Sequence, residues 1–387
     1  MTMTLGSPAH ERIVAIRRDL HQHPELSWHE ERTAEVIADR LGELGIAFRK
    51  GVAGTGILAD IPGRTSTCIA LRADMDALPV HEETGLSFAS TNEGIMHACG
   101  HDGHVSVLLG AAELLALEED LPVSIRLIFQ PAEELGAGAK RMIEEGALDG
   151  VDMIFGGHLD RGYDPGELIV TEGCVNASTD EFYITLSGTG GHGARPHETV
   201  DPLVVGSLLV SEFQTIITRT LDPMHAAVLS VGQFHAGTAP NIIANVATME
   251  GTLRAQHPTA QTKLQDGVRR LAEGIAAAHG VKVDIKIVEG TPPIFNEGVP
   301  LKIAQFAAEG VVGEAQVRPM SSGNMGGEDF GFYVEQVPGC FIRYGAKPPG
   351  ESYPAHSSRF WWDEAALAHG ANWMRAVAIA AGQHLET

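Results

Sequence analysis

The chain has 387 residues, which is too many for one ordinary hydrophobic core, so two domains are expected. Its composition, with 44% apolar and 20% charged residues, is typical of a globular protein, and its net charge of −23 argues against nucleic acid as a partner because phosphates require a basic surface. No apolar run reaches the ~18 residues of a membrane span, no signal-peptide pattern opens the chain and the cysteines show no disulfide pattern, so we expect a cytoplasmic protein without membrane partners.

Hydrophobic periodicity predicts alternating helices and strands in the first part of the chain. The predicted elements are helices within 10–46 (interrupted near Pro24 and ended at Gly45), two strands within 48–63, a strand from Cys68 to Leu71, a helix over 105–120, a strand over 123–130, a short helix over 140–148 and a strand over 151–158. Taken alone, His21 and His23 are interpreted as two exposed histidines at a helix end. Alternation of strands and helices favours a mostly parallel sheet.

Metal-competent side chains cluster at the ends of these strands. The stretch His97–His104 (HACGHDGH) carries three imidazoles, a thiol and a carboxyl group, and Gly100 and Gly103 are expected to let its backbone turn tightly. Three predicted strands are followed by acidic or imidazole groups, namely Asp74 and Asp76, Glu133 and Glu134, and His158. Ligands of open α/β sheets bind at the carboxyl ends of strands, so these groups are expected to converge.

The pattern changes near residue 177. Residues 177–291 show strand, helix, two strands, helix and strand, which is typical of a compact α+β module with a one-sided sheet. We therefore predict a discontinuous first domain of residues 1–176 and 292–387, interrupted by a second domain of residues 177–291. After 292 we predict a helix over 299–313, a polar loop over 321–330, a strand over 339–346, a loop with His356 and a closing helix over 361–383.

Five donors are too many for one catalytic zinc, which keeps three protein ligands and an open position. The candidates are Cys99, His101, Glu134, His158 and His356. They match two metals ~3.5–4 Å apart that share a bridging water. Zinc or manganese fits this mixture of thiolate, imidazole and carboxylate, with nickel and cobalt as alternatives.

Glu133 is the candidate general base. Side chains of successive strand residues diverge, so Glu133 is not expected to bind the same ion as Glu134. It would then be available to take a proton from water and to pass it to a leaving amine. The alternative interpretation is a surface carboxylate.

Several motifs together resemble the M20 metallopeptidase family, and more narrowly its amidohydrolase subfamily, over essentially the whole chain. They are RADMDALP (72–79), MHACGHDGH (96–104), QPAEE (130–134), GGH (156–158), GGHGARPH (190–197), GEDF (327–330) and His356. The resemblance implies an α/β fold, with a zinc-exopeptidase-like mixed sheet that has helices on both faces and an inserted α+β ferredoxin-like lid domain that also serves dimerisation. It also implies two divalent metal ions per subunit and a homodimer or higher homo-oligomer.

The resemblance further implies roles for single residues. Glu133 would be the catalytic base, and His192 would be a lid histidine that contacts the substrate and stabilises the oxyanion, often across a dimer interface. Asn241 and Arg254 would hold the substrate carboxylate, a task for which a guanidinium fork is well suited. Closure of the lid would exclude water.

Further acidic and imidazole residues are expected to support the ligands or the helix that follows them. Asp74 and Asp76 are interpreted as residues behind the ligands, with Asp76 counted in the catalytic set. Asp102 and His104 are expected to orient or cap the following helix, and His97 has no assigned role.

The predicted reaction is hydrolysis of the amide bond of small N-acyl amino acids. A dipeptidase or carboxypeptidase using the same site is the alternative within the enzyme class. Two further hypotheses are a hydrolase with Cys99 as nucleophile and a non-catalytic metal-binding protein. Departures from the subfamily pattern after His158 and after Asn241 bear on the choice of substrate.

Overall fold

The computed structural model of the chain describes residues 2–386, which divide into two compact units. The first unit contains the chain up to Gly173, Phe295–Ser322 and the chain from Asp329 onward. The second unit contains Cys174–Ile294 and Gly323–Glu328. The chain passes between the units within two short strands, β7 (Gly173–Asn176) and β14 (Ile294–Asn296), and again after Ser322 and after Glu328.

An eight-stranded mixed sheet forms the centre of the first unit. Its strands are β1 (Ala47–Val52), β2 (Gly56–Ile61), β3 (Thr65–Asp74), β4 (Val123–Gln130), β5 (Val151–Asp160), β6 (Leu168–Ile169), β15 (Val317–Arg318) and β16 (Gly339–Gly345). They lie in the order β1-β2-β4-β3-β5-β16-β6-β15. The central strands β4, β3, β5 and β16 are parallel, so their carboxyl ends lie at one edge of the sheet.

Seven helices among residues 2–386 belong to the first unit. They are α1 (Pro8–Gln22), α2 (Glu31–Glu43), α3 (His101–Ala116), α4 (Gly138–Glu144), α7 (Gly298–Val312), α8 (Gly331–Val334) and α9 (Ala366–Leu385). Helix α3 is buried from His101 to Leu115, as expected of a helix that is apolar on all sides, and packs against α9, α1 and β3. The prediction of a mixed α/β fold is confirmed.

The second unit has the order strand, helix, two strands, helix, strand. Its elements are β8 (Ser178–Ser187), β9 (Gly191–His192), α5 (Pro202–Thr215), β10 (Ala227–Ala236), β11 (Ile242–Ile243), β12 (Val246–Ala255), α6 (Pro258–Ala278) and β13 (Lys282–Glu289). The four long strands form an antiparallel sheet in the order β10-β12-β8-β13. The two helices pack on the apolar face of this sheet, around buried residues such as Phe182, Phe213 and Leu264.

Some local predictions are wrong. The closing helix begins at Ala366 instead of 361, because the Asp363 side chain accepts a hydrogen bond from the Ala365 amide and Trp362 is buried before the helix starts. The strands β6 and β15 were not predicted, because two residues are too few to show a period.

No helix within residues 2–386 combines the length and the apolar character that crossing a membrane requires.

Candidate metal centre

Three adjacent parallel strands bring the predicted donors to one edge of the sheet. Asp74 ends β3, and Glu133 and Glu134 lie in the turn that follows β4. His158 lies near the end of β5, which runs two residues further, to Asp160, than predicted. Because β4, β3 and β5 are neighbours, donors far apart in sequence lie close together.

The HACGHDGH stretch opens helix α3. Gly100 adopts φ +98°, a left-handed conformation that favours glycine, so the predicted tight turn is present there. Gly103 instead lies inside the helix, and the turn predicted for it is wrong. A Cβ at Gly103 would lie 2.4 Å from Leu159 Cδ1 and 2.5 Å from Trp362 Cζ2, so this glycine permits close packing.

The five predicted metal donors form two sets of three, and Cys99 belongs to both. One set is Cys99, His101 and His158, and the other is Cys99, Glu134 and His356. Within each set the ligand atoms lie within 4.8 Å of one another. Cys99 Sγ is 3.4 Å from His158 Nε2, and His356 Nε2 is 3.5 Å from Glu134 Oε1. Three ligands is the number that a catalytic zinc keeps.

Unpaired buried atoms support an ion at these sets. His101 Nε2 and Glu134 Oε1 are buried and have no hydrogen-bond partner among the described residues. They lie 3.9 Å apart, which is too long for a hydrogen bond. Burial, followed by the charge of Glu134, raises the pKa of the Cys99 thiol, so a neighbouring cation would be needed to stabilise its thiolate. The residues therefore fit divalent metal ions.

Asp76 connects the two halves of this edge. Its Oδ1 accepts from the Glu133 amide at 3.1 Å and lies 3.2 Å from His101 Nδ1, and its Oδ2 accepts from the Glu134 amide at 3.1 Å and from Ser27 Oγ at 2.7 Å. Burial alone would raise the pKa of Asp76, but the hydrogen bond and charge of His101, together with the hydrogen bond from Ser27, outweigh burial and lower that pKa. An ionised Asp76 requires His101 Nδ1 to donate, which leaves the lone pair of His101 Nε2 for an ion.

The expectation that Glu133 and Glu134 diverge is wrong. Strand β4 ends at Gln130 and Ala132 adopts φ +54°, so the alternation of strand side chains does not apply to the turn. Glu133 Oε2 and Glu134 Oε1 are each 3.9 Å from His101 Nε2. Both carboxylates therefore face the same imidazole.

His356 is held in a strained backbone conformation. Its φ is +65°, which is uncommon for a residue with a side chain, and its amide donates to the Ala98 carbonyl at 2.8 Å. The Ala98 contact ties the late loop to the segment just before α3. His356 is the exposed member of the donor set, with 54% of its side chain accessible.

Sequence reasoning missed a buried charge cluster beneath the start of α3. His21 is buried, so its predicted exposure is wrong. Its Nδ1 lies 2.8 Å from Asp102 Oδ2, and Arg17 Nε lies 2.9 Å from the same oxygen. Asp102 therefore lies within α3 and contacts α1, and it does not cap its own helix. The sequence did carry a signal for this cluster, because Arg17 and His21 lie on the same face of α1 as the apolar residues Ile13 and Leu20.

Two other residues of the stretch are buried. His104 contacts Asp74 with an Nδ1 to Oδ1 distance of 2.6 Å and does not cap α3, since Gly100 occupies the N-cap position. His97 is buried without a hydrogen-bond partner on either ring nitrogen among the described residues, and burial lowers its pKa to about 4.

The remaining predicted residues belong to the second unit. His192 is exposed in β9, pairs in register with Ile242 and accepts at Nδ1 from the Ala194 amide at 3.0 Å. The neighbouring Asn241 accepts at its carbonyl from the Gly193 amide, so it lies beside His192. Arg254 lies on β12, a different strand, and donates to the Met325 carbonyl at 3.0 Å.

Comparison with known proteins gives consistent matches. The profile of "Peptidase family M20/M25/M40" matches residues 70–380. The chain is 39% identical over 371 residues to thermostable carboxypeptidase 1 of Saccharolobus solfataricus, covering 93% of this chain and 92% of that one. It is 39% identical over 373 residues to N-acetylcysteine deacetylase of Bacillus subtilis, covering 96% and 97%.

A solved structure agrees with the fold. The Bacillus subtilis YXEP protein, described as a dinuclear metal-binding peptidase from the M20 family, superimposes with a TM-score of 0.86 at 36% identity and covers 97% of this chain and 98% of that one. The predicted family and the prediction of a metal-dependent hydrolase are thereby confirmed. The chain belongs to peptidase family M20/M25/M40.

Proposed function

We propose that this protein hydrolyses the amide bond of small N-acyl amino acids, releasing a carboxylic acid and a free amino acid. The observation that carries the proposal is the pair of three-donor sets that share Cys99, with the Glu133 carboxylate beside them. Relatives named N-acetylcysteine deacetylase and N-acyl-L-amino acid amidohydrolase support this substrate class.

Cys99, His101 and His158 would hold one divalent ion, and Cys99, Glu134 and His356 would hold a second. Two such ions supply Lewis-acid polarisation of the amide carbonyl and lower the pKa of a water. Zinc or manganese suits a site of thiolate, imidazole and carboxylate donors.

Glu133 is the proposed general base and acid. Its carboxylate faces the same space as His101 Nε2, from a turn that Asp76 fixes through the Glu133 amide. It accepts the proton of the attacking water and then delivers that proton to the amide nitrogen as the C–N bond breaks. Asp76 is a positioning residue in this scheme, because it holds both His101 and the turn that carries Glu133.

Three residues of the second unit are proposed to act on the substrate. His192 accepts a backbone hydrogen bond at Nδ1, so its neutral ring carries a proton on Nε2, which can donate to the oxyanion. Arg254 and Asn241 would hold the amino-acid carboxylate. We expect His192→Ala to lower kcat by about 10²–10³-fold without changing metal content; an unchanged kcat would rule out the oxyanion role.

A carboxypeptidase or dipeptidase is the second candidate, favoured by the 39% identity to thermostable carboxypeptidase 1. The same donors and the same Glu133 would serve either reaction. The candidates differ in whether the amide nitrogen belongs to an acylated amino acid or to a peptide.

One assay separates these candidates. Metal-free protein is reconstituted with Zn²⁺ or Mn²⁺ and given N-acetyl amino acids, N-benzoyl amino acids, dipeptides and benzyloxycarbonyl-peptides in parallel. We expect the highest kcat/KM on an N-acyl amino acid, and a clear preference for peptides would overturn the proposed substrate class. Loss of activity in chelator, with recovery on adding metal, is expected; activity that survives chelator but not thiol alkylation would favour Cys99 as nucleophile instead.

Assembly and location stay predictions. We propose a homodimer or larger homo-oligomer, which light scattering would test, and a cytoplasmic protein, which fractionation would test.

A further inference from the structure

Another set of candidate donors extends from the proposed ligand His101 to two buried residues beside it. Asp74, His101 and His104 offer ligand atoms within 4.8 Å of one another, and all three residues are buried. However, Arg72 Nη1 donates to Asp74 Oδ2 at 2.7 Å, so a cation is already in contact with this carboxylate. Asp74 and His104 therefore call for a role other than metal binding.

His104 has no nitrogen left for an ion. Its Nε2 accepts a hydrogen bond from the Leu159 amide at 2.9 Å. The ring proton must therefore be on Nδ1, which lies 2.6 Å from Asp74 Oδ1 and donates to it. The two partners together define one tautomer and one orientation of the ring.

Leu159 links His104 to the proposed ligand His158. Its carbonyl accepts from His158 Nδ1 at 2.7 Å, so the proton of the neutral His158 ring is on Nδ1, and the lone pair is on Nε2, which lies 3.4 Å from Cys99 Sγ. The two imidazoles also pack edge to face, with centroids 4.5 Å apart at 69°. Strand β3 pairs with β5 only as far as Arg72 and Gly156, so neither polar group of Leu159 can be satisfied by β3.

The partner of His104 is itself held firmly. Arg72 Nη2 donates to Asp329 Oδ1 at 2.8 Å and Arg72 Nε donates to Gln130 Oε1 at 2.8 Å. Asp329 also accepts from Gln130 Nε2 and from the Ala139 amide. These side chains are buried, which makes this a fixed support at the ends of β3 and β4.

We propose that His104 is a positioning residue for the metal centre, held by Asp74 and Arg72, which fixes the Leu159 main chain and thereby the Nδ1-protonated form of His158. This inference rests on the proposed function, because it takes His158 as a metal ligand. Partners of a ligating histidine set its tautomer and orientation, and their loss weakens metal binding.

The test measures metal binding instead of turnover. Metal-free wild type, His104→Phe, His104→Gln and His104→Asn are titrated with Co²⁺, and dissociation constants are obtained by competition with a chelator. The visible spectrum of bound Co²⁺ reports the ligand geometry independently of activity. Unfolding of the metal-free proteins is measured in parallel to separate loss of stability from loss of affinity.

We expect His104→Phe to bind one of two Co²⁺ ions about 10–100-fold more weakly than wild type, with an altered spectrum. His104→Gln places an amide oxygen near the former Nε2 and can still accept from Leu159, so it is expected to bind more tightly than His104→Asn. The matched control is His21→Phe, which removes another buried histidine with no recorded contact to the five proposed ligands. It is expected to leave Co²⁺ affinity unchanged.

The outcomes are distinct. Equal affinities and spectra for wild type and His104→Phe would overturn the positioning role while leaving the proposed function intact. If His104→Phe does not fold, the Co²⁺ affinities of His104→Gln and His104→Asn are compared instead, and equal affinities of these two variants overturn the proposal. Failure of the wild type to bind Co²⁺ would overturn the proposed metal centre and this inference with it.

Discussion

A buried carboxylate in the first unit has charged partners, whereas one in the second unit has neutral partners, and their pKa values shift in opposite directions. In the first unit Asp102 lies between Arg17 and His21; burial alone would raise its pKa, but these two groups outweigh burial and lower it well below its usual range. In the second unit Asp180 is equally buried, but its partners are the neutral amides of Gln261 and Gln265, and burial raises its pKa. Ionic support is thus found in the unit that carries the candidate metal centre.

This difference indicates how each unit is stabilised. The second unit depends on an apolar core between its sheet and two helices. The first unit has a large apolar core as well, and it adds buried charges at the end of β3 and at the start of α3. A buried ion pair contributes little net stability by comparison with apolar residues, but removing one partner is costly. The Arg72–Asp74 charges at the strand ends are therefore best understood as fixing the geometry of the site, and the Arg17–Asp102 charges as joining α1 to α3.

The largest effect on stability is expected from Asp102→Asn. The substitution leaves the buried Arg17 guanidinium with only its longer contact to Glu364, at 3.3 Å, so the free energy of unfolding of the first unit should fall by about 3 kcal/mol. Urea denaturation followed by tryptophan fluorescence measures this directly, because all four tryptophans belong to the first unit, namely Trp28, Trp361, Trp362 and Trp373.

Asp120→Asn is the matched control for that experiment, since its pair with Arg64 is at the surface and surface pairs contribute little to stability. The lowered pKa of Asp102 means that its contribution is present above the unfolded pKa of ~3.9 and is lost as the pH falls toward the folded value. The difference between wild type and Asp102→Asn should therefore shrink in acid. Equal, small effects of the two substitutions would contradict the comparison.

Two glycine-to-alanine substitutions should change the free energy of unfolding in opposite directions, lowering it in the first unit and raising it in the second. Gly103→Ala in α3 introduces a Cβ 2.4 Å from Leu159 Cδ1, and overpacking of this kind costs about 1–3 kcal/mol. Gly274→Ala in α6 meets no atom within 4 Å, so the gain in helix propensity should stabilise the second unit by about 0.5–1 kcal/mol. Tryptophan fluorescence reports the first change and amide hydrogen exchange of α6 reports the second; destabilisation by both would contradict the account.

Asp180→Asn should have the smallest effect and a distinctive pH dependence. The folded pKa of Asp180 is raised, so its stabilising contribution is full below the unfolded pKa of ~3.9 and is lost as pH rises through the folded pKa. Asparagine keeps the shape and does not titrate, so the stability of the variant relative to wild type should increase with pH across that window. Hydrogen exchange of β8 and α6 at several pH values measures this, and a difference independent of pH would count against the assignment.

The positions of the donors were predictable because they depend on local patterns. Asp74, Glu133 and His158 each lie at or just after the end of a buried apolar strand, and parallel pairing of these strands brings the three side chains to one edge of the sheet. The α+β order of the second unit followed from periodicity in the same way. Short strands such as β6 and β15 could not be predicted, because pairing with neighbours distant in sequence creates them.

The support behind the donors was not predictable for a similar reason. His104 and Asp102 lie in one helical turn, and nothing local shows that one reaches Asp74 on β3 and the other reaches α1. The orientation of Glu133 depends on Asp76, 57 residues away in the chain, and on a turn that strand alternation does not describe. Such contacts are set by tertiary packing.

The most direct test of the central claim compares wild type with Glu133→Gln for both metal content and turnover. The account predicts that both metal-free proteins take up two divalent ions per chain, and that the variant binds them as tightly as wild type does. It also predicts that kcat on an N-acyl amino acid falls about 10²–10⁴-fold in the variant. A kcat for Glu133→Gln close to that of wild type, or full wild-type activity without metal, would contradict it.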